Sequence, residues 1–135
     1  MNIGENFYCS RCLTGLHDEI ICPKCGYDPR IQSDENALEE GTTLNGMRFH
    51  VGAVRKKLKP GYVYGAFDYI RSRPVYIFEY FPPLCLERDE ASGSRVIVRP
   101  ESEAEFCEGR RKLIASLNFH HSVFFENNTL YVFRP

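Results

Sequence analysis

The segment Arg73-Pro74-Val75-Tyr76-Ile77-Phe78-Glu79-Tyr80-Phe81-Pro82 carries the clearest strand pattern in the chain. Its β-branched and aromatic residues suit a pleated, half-buried strand, and Pro82-Pro83 ends that strand because proline cannot donate to a ladder hydrogen bond. Two similar runs precede it, Val51 to Arg55 and Tyr62 to Phe67, with the turn residues Lys59-Pro60-Gly61 between them. Together the three runs predict an antiparallel meander.

A helix is predicted to follow the meander, beginning at Pro100 or Glu101, because proline suits the first helical position. Apolar residues recur on one face of this helix at helical spacing: Phe106, Leu113, Ile114 and Leu117. Two further strand runs come last, Val123 to Glu126 and Leu130 to Phe133. This order predicts an α+β fold in which one main helix lies on a face of a five-stranded antiparallel sheet.

Two cysteine pairs lie near the start of the chain, Cys9-x-x-Cys12 and Cys22-x-x-Cys25. Each pair can form a tight turn that directs two thiolates toward one point, and four sulfurs satisfy tetrahedral Zn²⁺. Because no ligand position stays open for water or substrate, the predicted zinc is structural and not catalytic. His17 could replace one cysteine, or it could be a loop histidine. Two disulfides are the competing interpretation, and the absence of a signal peptide disfavours it.

Length and composition predict a small metal module joined to one ordinary domain. The chain has 135 residues, a formal net charge of -1 and an isoelectric point near 6.4. Residues 1–30 are too few to bury a core, so the zinc ribbon predicted there depends on its metal. A polar linker is predicted at 31–40 and a single domain at 41–135. No segment approaches the ~20 apolar residues of a membrane span, and the expected location is the cytoplasm.

Other reactive or charged side chains give weaker indications. We predict reduced, unreactive thiols at Cys85 and Cys107, which have no basic neighbour in the sequence. The adjacent His120 and His121 are poorly placed to face one ion. A basic turn comprises Arg55, Lys56, Lys57 and Lys59. It could contact phosphate or an acidic partner, or it could be a solvated turn.

Several segments of residues 41–135 share a known pattern in the same order. The opening Gly41 to Phe49 is similar to a GTVLNGRY-type segment, Val51 to Asp68 continues without a gap, and Arg73 to Pro82 is similar to VAIKEYFP. With the cysteine pairs in front, these segments resemble the N-terminal lobe of bacterial serine/threonine protein kinases that carry an N-terminal zinc ribbon. The resemblance implies a kinase N-lobe-like domain.

The resemblance also implies that the nucleotide site is degenerate. In such kinases a glycine-rich loop covers the ATP phosphates, and the lysine of VAIK holds two of them. Lys56 and Leu58 stand at the first two glycine positions, and Gly61 keeps the third. Phe78 stands at the lysine position. Tyr76 stands at the alanine that lines the adenine site, where its side chain would fill the space. We therefore expect no ATP binding in the kinase manner.

The remaining catalytic parts of the family are also not found. The helix glutamate that pairs with the lysine falls at Arg110 or at Ser116, and neither residue can take that role. The sequence contains no H-R-D or D-F-G segment, and it ends at Pro135, about where a kinase hinge would begin. The expectation is a protein that is not an enzyme.

The preferred hypothesis is a non-catalytic, zinc-binding protein-interaction or regulatory module of pseudokinase-like type. Its partner would be another protein or a second copy, bound through the face that a C-lobe would cover. Tyr62, Tyr64 and the segment Tyr131 to Phe133 are expected near that face, and Leu130 to Phe133 could alternatively dimerise as an edge strand. The alternative function is a nucleic-acid-binding zinc ribbon, which is disfavoured because residues 1–30 carry four acidic and three basic side chains.

Overall fold

The computed structural model describes residues 9, 11–16, 20–28 and 36–135. His17 and residues 31–35 of the predicted linker lie outside the described residues. The elements of the described part are, in chain order, β1 (Thr43–Leu44), β2 (Phe49–Leu58), β3 (Gly61–Asp68), β4 (Arg73–Tyr80), β5 (Leu86–Arg88), β6 (Val96–Val98), a 3₁₀ turn (Pro100–Ser102), α1 (Glu103–Ser116), β7 (Ser122–Glu126) and β8 (Thr129–Phe133).

Six of the described strands form one antiparallel sheet in the order β1-β2-β3-β4-β8-β7. The five-stranded sheet predicted from the sequence is therefore wrong by one strand. The additional strand, β1, has two residues, which is too short to show an alternating pattern. It is fixed next to β2 by the bond from the Val51 amide to the Thr42 carbonyl, 2.8 Å long.

A second, two-stranded sheet is formed by β5 and β6, which the sequence does not predict. Each strand has three residues, and Leu86 pairs with Val98 in the register. The Val96 amide also donates to the Asn127 carbonyl at 2.8 Å, which connects this hairpin to the turn between β7 and β8.

The central part of one face of the large sheet, here called the closed face, is buried. Residues that pair directly across antiparallel strands have side chains on the same face, and on this basis the closed face contains Tyr62, Tyr64, Ile77, Glu79, Tyr131 and Phe133. The sheet curls over this face, because the Asn45 amide at the β1 end donates to a Glu126 carboxylate oxygen on β7 at 2.8 Å. Phe49 packs in the interior against Phe133, with ring centroids 4.9 Å apart.

The closed face corrects two expectations about a partner surface. Tyr62, Tyr64 and the segment 131–133 are buried inside the domain, so they cannot form an exposed apolar face. Strand β8 lies between β4 and β7 and is not an edge strand, so it has no free side for strand addition.

The opposite face, here called the helix face, carries α1. Tyr80 stacks on Phe106 with ring centroids 5.2 Å apart, and its hydroxyl donates to the Phe106 carbonyl at 2.9 Å. Leu113 and Leu117 also pack against the core, whereas Ile114 is exposed, contrary to the predicted apolar face. No helix in the described part is long and apolar enough to cross a membrane.

Gly109 allows α1 to approach β4 closely. A Cβ atom added at Gly109 would lie 2.2 Å from the Tyr80 hydroxyl oxygen. Alanine favours a helix over glycine by about 1 kcal/mol, but overpacking at a buried site costs about 1–3 kcal/mol. We therefore expect Gly109→Ala to lower the midpoint of urea unfolding.

The matched control is Gly109→Ala in a Tyr80→Phe background, where the clashing oxygen is gone. There the alanine should be neutral or stabilising. A single Gly109→Ala variant that is more stable than the wild type would contradict the close packing described here.

Candidate functional site

The four paired cysteines form a compact cluster of sulfur atoms. All four sulfurs lie within 4.8 Å of one another, and the Cys9–Cys25 and Cys12–Cys22 Sγ distances are both 3.6 Å. Tetrahedral zinc with Zn–S bonds of ~2.3 Å requires sulfurs about 3.8 Å apart, whereas a disulfide requires about 2.05 Å. All four are free thiols, so the cluster could hold a metal ion such as zinc.

Two backbone turns of the same design present these sulfurs. In each turn, the amide of the first cysteine donates to the carbonyl five residues on, and its carbonyl accepts from the amide four residues on. These distances are 2.7 and 2.9 Å at Cys9, and 3.0 and 2.9 Å at Cys22. The residue four places on has a positive φ in both turns, 66° at Leu13 and 76° at Gly26. Glycine adopts this conformation without strain, and leucine does not.

The thiols of this cluster differ in acidity. Burial raises the pKa of Cys9 to about 12 and also raises the pKa of Cys25. Burial acts in the same direction on Cys12, but its hydrogen bonds with Thr14 and Cys22 outweigh that effect and lower its pKa to about 6. A bound divalent cation would favour the thiolate at each position, since metal binding displaces thiol protons.

Hydrogen bonds join the cysteine module, meaning the described residues among 9–28, to the rest of the chain. The Tyr76 hydroxyl of β4 donates to the Cys12 carbonyl at 3.5 Å. The Tyr27 hydroxyl donates to a Glu40 carboxylate oxygen. The Tyr76–Cys12 contact places the module beside the helix face. Tyr76 lies on that face because it is four residues from Tyr80 on β4, and side chains at even spacing in a strand share a face.

The two β4 positions that correspond to nucleotide contacts in the resemblance also lie on the helix face. Phe78 is half-buried and packs against the core. Tyr76 is 46% exposed. Tyr76 and Phe78 are two residues apart in a strand, so their side chains lie on the same face. Neither side chain is cationic.

The three positions that correspond to the glycine-rich loop in the resemblance lie at the turn between β2 and β3. Lys56 and Leu58 are exposed near the end of β2. Gly61 begins β3, and a Cβ atom there would lie 1.9 Å from the Glu79 carbonyl oxygen. Close packing between β3 and β4 thus accounts for the glycine without any phosphate.

A buried ion pair that sequence reasoning missed lies at the centre of a polar cluster in the described part of the chain. Two Arg88 guanidinium nitrogens donate to the two carboxylate oxygens of Glu79 at 2.7 and 2.9 Å. The hydroxyls of Tyr64 and Tyr131 donate to the same carboxylate at 2.8 and 2.7 Å. The signal that could have identified it is a glutamate at an inward position of an apolar strand, which requires a buried partner.

Hydrogen bonds from this cluster also hold Asn36 and Leu38, at the start of the described segment 36–135. Arg88 donates to the Asn36 carbonyl at 2.7 and 2.9 Å, and the Leu38 amide donates to the Tyr64 hydroxyl at 3.0 Å. Burial and the nearby Glu79 charge raise the pKa of Tyr64 and Tyr131 well above the usual range, so both hydroxyls stay protonated donors. Among the described residues, every buried side-chain nitrogen and oxygen has a hydrogen-bond partner.

The other predicted reactive residues do not converge. The ring of His121 accepts a hydrogen bond from the Asn118 amide, and among described residues the four cysteines are the one group of three or more potential metal ligands. Burial raises the pKa of the Cys85 thiol. Arg110 lies over the Phe106 ring at 5.5 Å, and the Ser116 hydroxyl donates to the Leu113 carbonyl at 2.6 Å.

No family model and no curated protein matches the chain. Among solved structures, the chain is similar to PpkA-294 in its apo form, a bacterial serine/threonine kinase fragment. The TM-score is 0.54 at 23% sequence identity, over 73% of this chain and 38% of the neighbour. The fold is kinase-like. The chain spans 38% of the neighbour's length, and the similarity at this identity concerns the fold alone.

Proposed function

We propose that this chain is a non-catalytic zinc-binding interaction module, in which a kinase-like domain has lost the ability to bind ATP in the kinase manner. The observation that carries the proposal is the pair of aromatic side chains, Tyr76 and Phe78, on the helix face of β4. Each stands where the resemblance requires a small or a cationic residue.

Both electrostatics and sterics oppose the nucleotide at this face. Kinases hold the α- and β-phosphates with a lysine, whereas Phe78 packs its ring against the core and offers no charge. The phosphate-covering loop requires backbone amides that can approach the ligand closely, and Lys56 and Leu58 place side chains there instead.

The metal has a structural role in this proposal. Cys9, Cys12, Cys22 and Cys25 would hold one Zn²⁺ within a zinc ribbon formed by residues 1–30. When bound, the ion would supply folding free energy, which in zinc-finger peptides amounts to about 10–16 kcal/mol of apparent binding energy. Four sulfur ligands leave no site for water activation.

The partner would be another protein or a second copy of the chain. With the closed face buried, one exposed candidate surface lies around the outer strand β7. Phe119, just before β7, is 90% exposed, and Phe125 on β7 is 65% exposed. Strand β7 ends the sheet order, so a described strand pairs with it on one side alone.

Thermal unfolding in the presence of ATP and magnesium tests the loss of nucleotide binding. A ligand at one hundred times its dissociation constant adds about 2.7 kcal/mol of stability, which would raise the midpoint by several degrees. We expect no shift at millimolar ATP. A rise of several degrees would contradict the proposal.

A second candidate function is nucleic-acid binding through the basic turn. Residues 55–60 are exposed, and this stretch includes Arg55, Lys56 and Lys59. Lys56 pairs with Val63 and Lys57 with Tyr62, so neighbouring lysines project from opposite faces of the hairpin. Affinity for single-stranded or duplex nucleic acid that falls steeply with salt would favour this candidate.

A further inference from the structure

Two turns at one end of the large sheet are fixed against each other. Residues 45–48 connect β1 to β2, and residues 69–72 connect β3 to β4. The Tyr69 amide donates to the Arg48 carbonyl at 2.8 Å. Two guanidinium nitrogens of Arg48 donate to the carboxylate of Asp68, just before the second turn, at 3.0 Å each. The two turns therefore present one preorganised surface.

Three apolar side chains of this surface, here called the apolar tip, are exposed to solvent: Met47, Tyr69 and Ile70. Met47 is 68% exposed and Ile70 is 71% exposed. Met47 also has a φ of 69°, a left-handed conformation that asparagine or glycine adopts with less strain. Neither the exposed apolar surface nor this conformation stabilises the domain. Clustered exposed apolar residues with a polar rim are typical of protein or membrane binding surfaces.

Exposed arginines flank the apolar tip. Arg71 lies in the second turn and Arg73 directly follows it, and both are exposed. None of the ion pairs in the described part of the chain involves either residue. Two carboxylates bond to the turns: Asp68 is paired with Arg48, and Glu126 accepts from a backbone amide of the first turn. Among these groups arginine charge exceeds carboxylate charge, so the tip region is positive.

The size and charge of this surface favour a lipid bilayer over a protein as its partner. A stable protein interface takes about 20–30 residues from each side, far more than two short turns supply. A bilayer surface can take up a few apolar side chains at the boundary of the acyl chains, and its affinity grows with electrostatic attraction to anionic headgroups. Apolar side chains beside exposed arginines match both requirements.

We propose that the apolar tip inserts into the surface of an anionic lipid bilayer, with Arg71 and Arg73 contacting the headgroup phosphates. The fixed turns hold Met47 and Ile70 ready for insertion, so little ordering is needed on binding. This inference goes beyond the proposed interaction module. It rests neither on the zinc centre nor on the loss of ATP binding.

The opposite end of the same sheet provides a comparison within the molecule. The β2–β3 turn carries the exposed Lys56 and Lys59 but lacks a group of strongly exposed apolar side chains in the described structure. Strand β3 has eight residues between the two ends, so they lie roughly 25 Å apart. Attraction by charge alone would use this lysine turn, whereas insertion requires the apolar tip.

Co-sedimentation of the full chain with lipid vesicles tests the apolar part of the proposal. Vesicles of equal parts phosphatidylcholine and phosphatidylglycerol should bind the chain, and raising the salt should weaken binding. Met47→Asn should lower the vesicle partition coefficient by about tenfold, the ratio for one withdrawn apolar side chain. The same variant should keep or raise the midpoint of urea unfolding, since asparagine suits the backbone there.

The matched control is Leu84→Asn. Leu84 is also strongly exposed, but it follows the other end of β4. This variant should keep the wild-type partition coefficient. An equal loss of binding in Met47→Asn and Leu84→Asn would show that the tip has no special role and would overturn the proposal.

Paired charge variants test the arginines. Each basic residue near an anionic surface contributes about 1 kcal/mol, so the double variant Arg71→Gln, Arg73→Gln should bind about twentyfold more weakly. The control Lys56→Gln, Lys59→Gln should change binding much less. A larger loss in the lysine variant, equal binding to pure phosphatidylcholine vesicles, or no binding to anionic vesicles at low salt would each overturn the proposal. Self-association that Met47→Asn abolishes, without vesicle binding, would instead assign the tip to a second copy.

Discussion

Replacing Arg88 with methionine is expected to lower the free energy of unfolding by about 3–5 kcal/mol, because it leaves Glu79 as an uncompensated buried charge. The Arg88 and Glu79 side chains are 6% and 0% exposed, so water cannot take the place of the guanidinium. The same change removes the hydrogen bonds from Arg88 to the Asn36 carbonyl. Urea unfolding followed by circular dichroism measures this loss.

Two further variants separate the buried charge from the size of the side chain. Adding Glu79→Gln to Arg88→Met removes both charges, and the double variant should recover part of the stability lost by the single one. Arg111→Met breaks an exposed ion pair with Glu108 and should change stability little. An Arg88→Met protein as stable as the wild type would show that the pair is not buried as described.

Cys22→Ser is expected to reduce the bound zinc from about one ion per chain to almost none, since a structural site needs all four of its thiolates. The free energy of metal binding is also the folding free energy of such a module, so the cysteine module should unfold. Residues 36–135 should keep their sheet, because the described core is built from that part of the chain with the exception of Cys9 and Cys22.

Metal content by elemental mass spectrometry measures the loss, and circular dichroism reports on the sheet. The matched control is Cys107→Ser, which changes an exposed cysteine outside the cluster and should retain zinc. A Cys22→Ser chain with a full equivalent of zinc would require a ligand other than the four cysteines.

Much of the fold could be predicted from the sequence, because the patterns that indicate strands and the cysteine site are local. The alternating runs around Val75 and Tyr62 have the period of a strand, and the C-x-x-C spacing specifies a shared sulfur site without any tertiary information. Strand β1 escaped prediction because two residues cannot display a period. Helical spacing identified the apolar residues on one side of α1, but it could not show how many of them the sheet covers, and Ile114 is exposed.

The parts that could not be predicted depend on contacts between distant segments. A period of two separates Tyr76 and Phe78 from Ile77 and Glu79, but it does not say which side of the sheet becomes the closed face. Glu79 and Arg88 lie on different elements, and their pairing requires the β5–β6 hairpin to fold back over the sheet. The burial of Tyr62 and Tyr64 could not be predicted for the same reason.

The buried pair and the cysteine cluster have complementary roles in this account. Glu79 and Arg88 stabilise the closed face and fix the chain at Asn36, independently of any metal. The cysteines organise a module that touches the helix face at Tyr76.

Native mass spectrometry of the full chain, sprayed with zinc, magnesium and millimolar ATP, tests the central claim most directly because it counts metal and nucleotide on the same molecule. The account predicts a species with one zinc ion and no stoichiometric nucleotide adduct. A wild-type species that carries ATP stoichiometrically would contradict it.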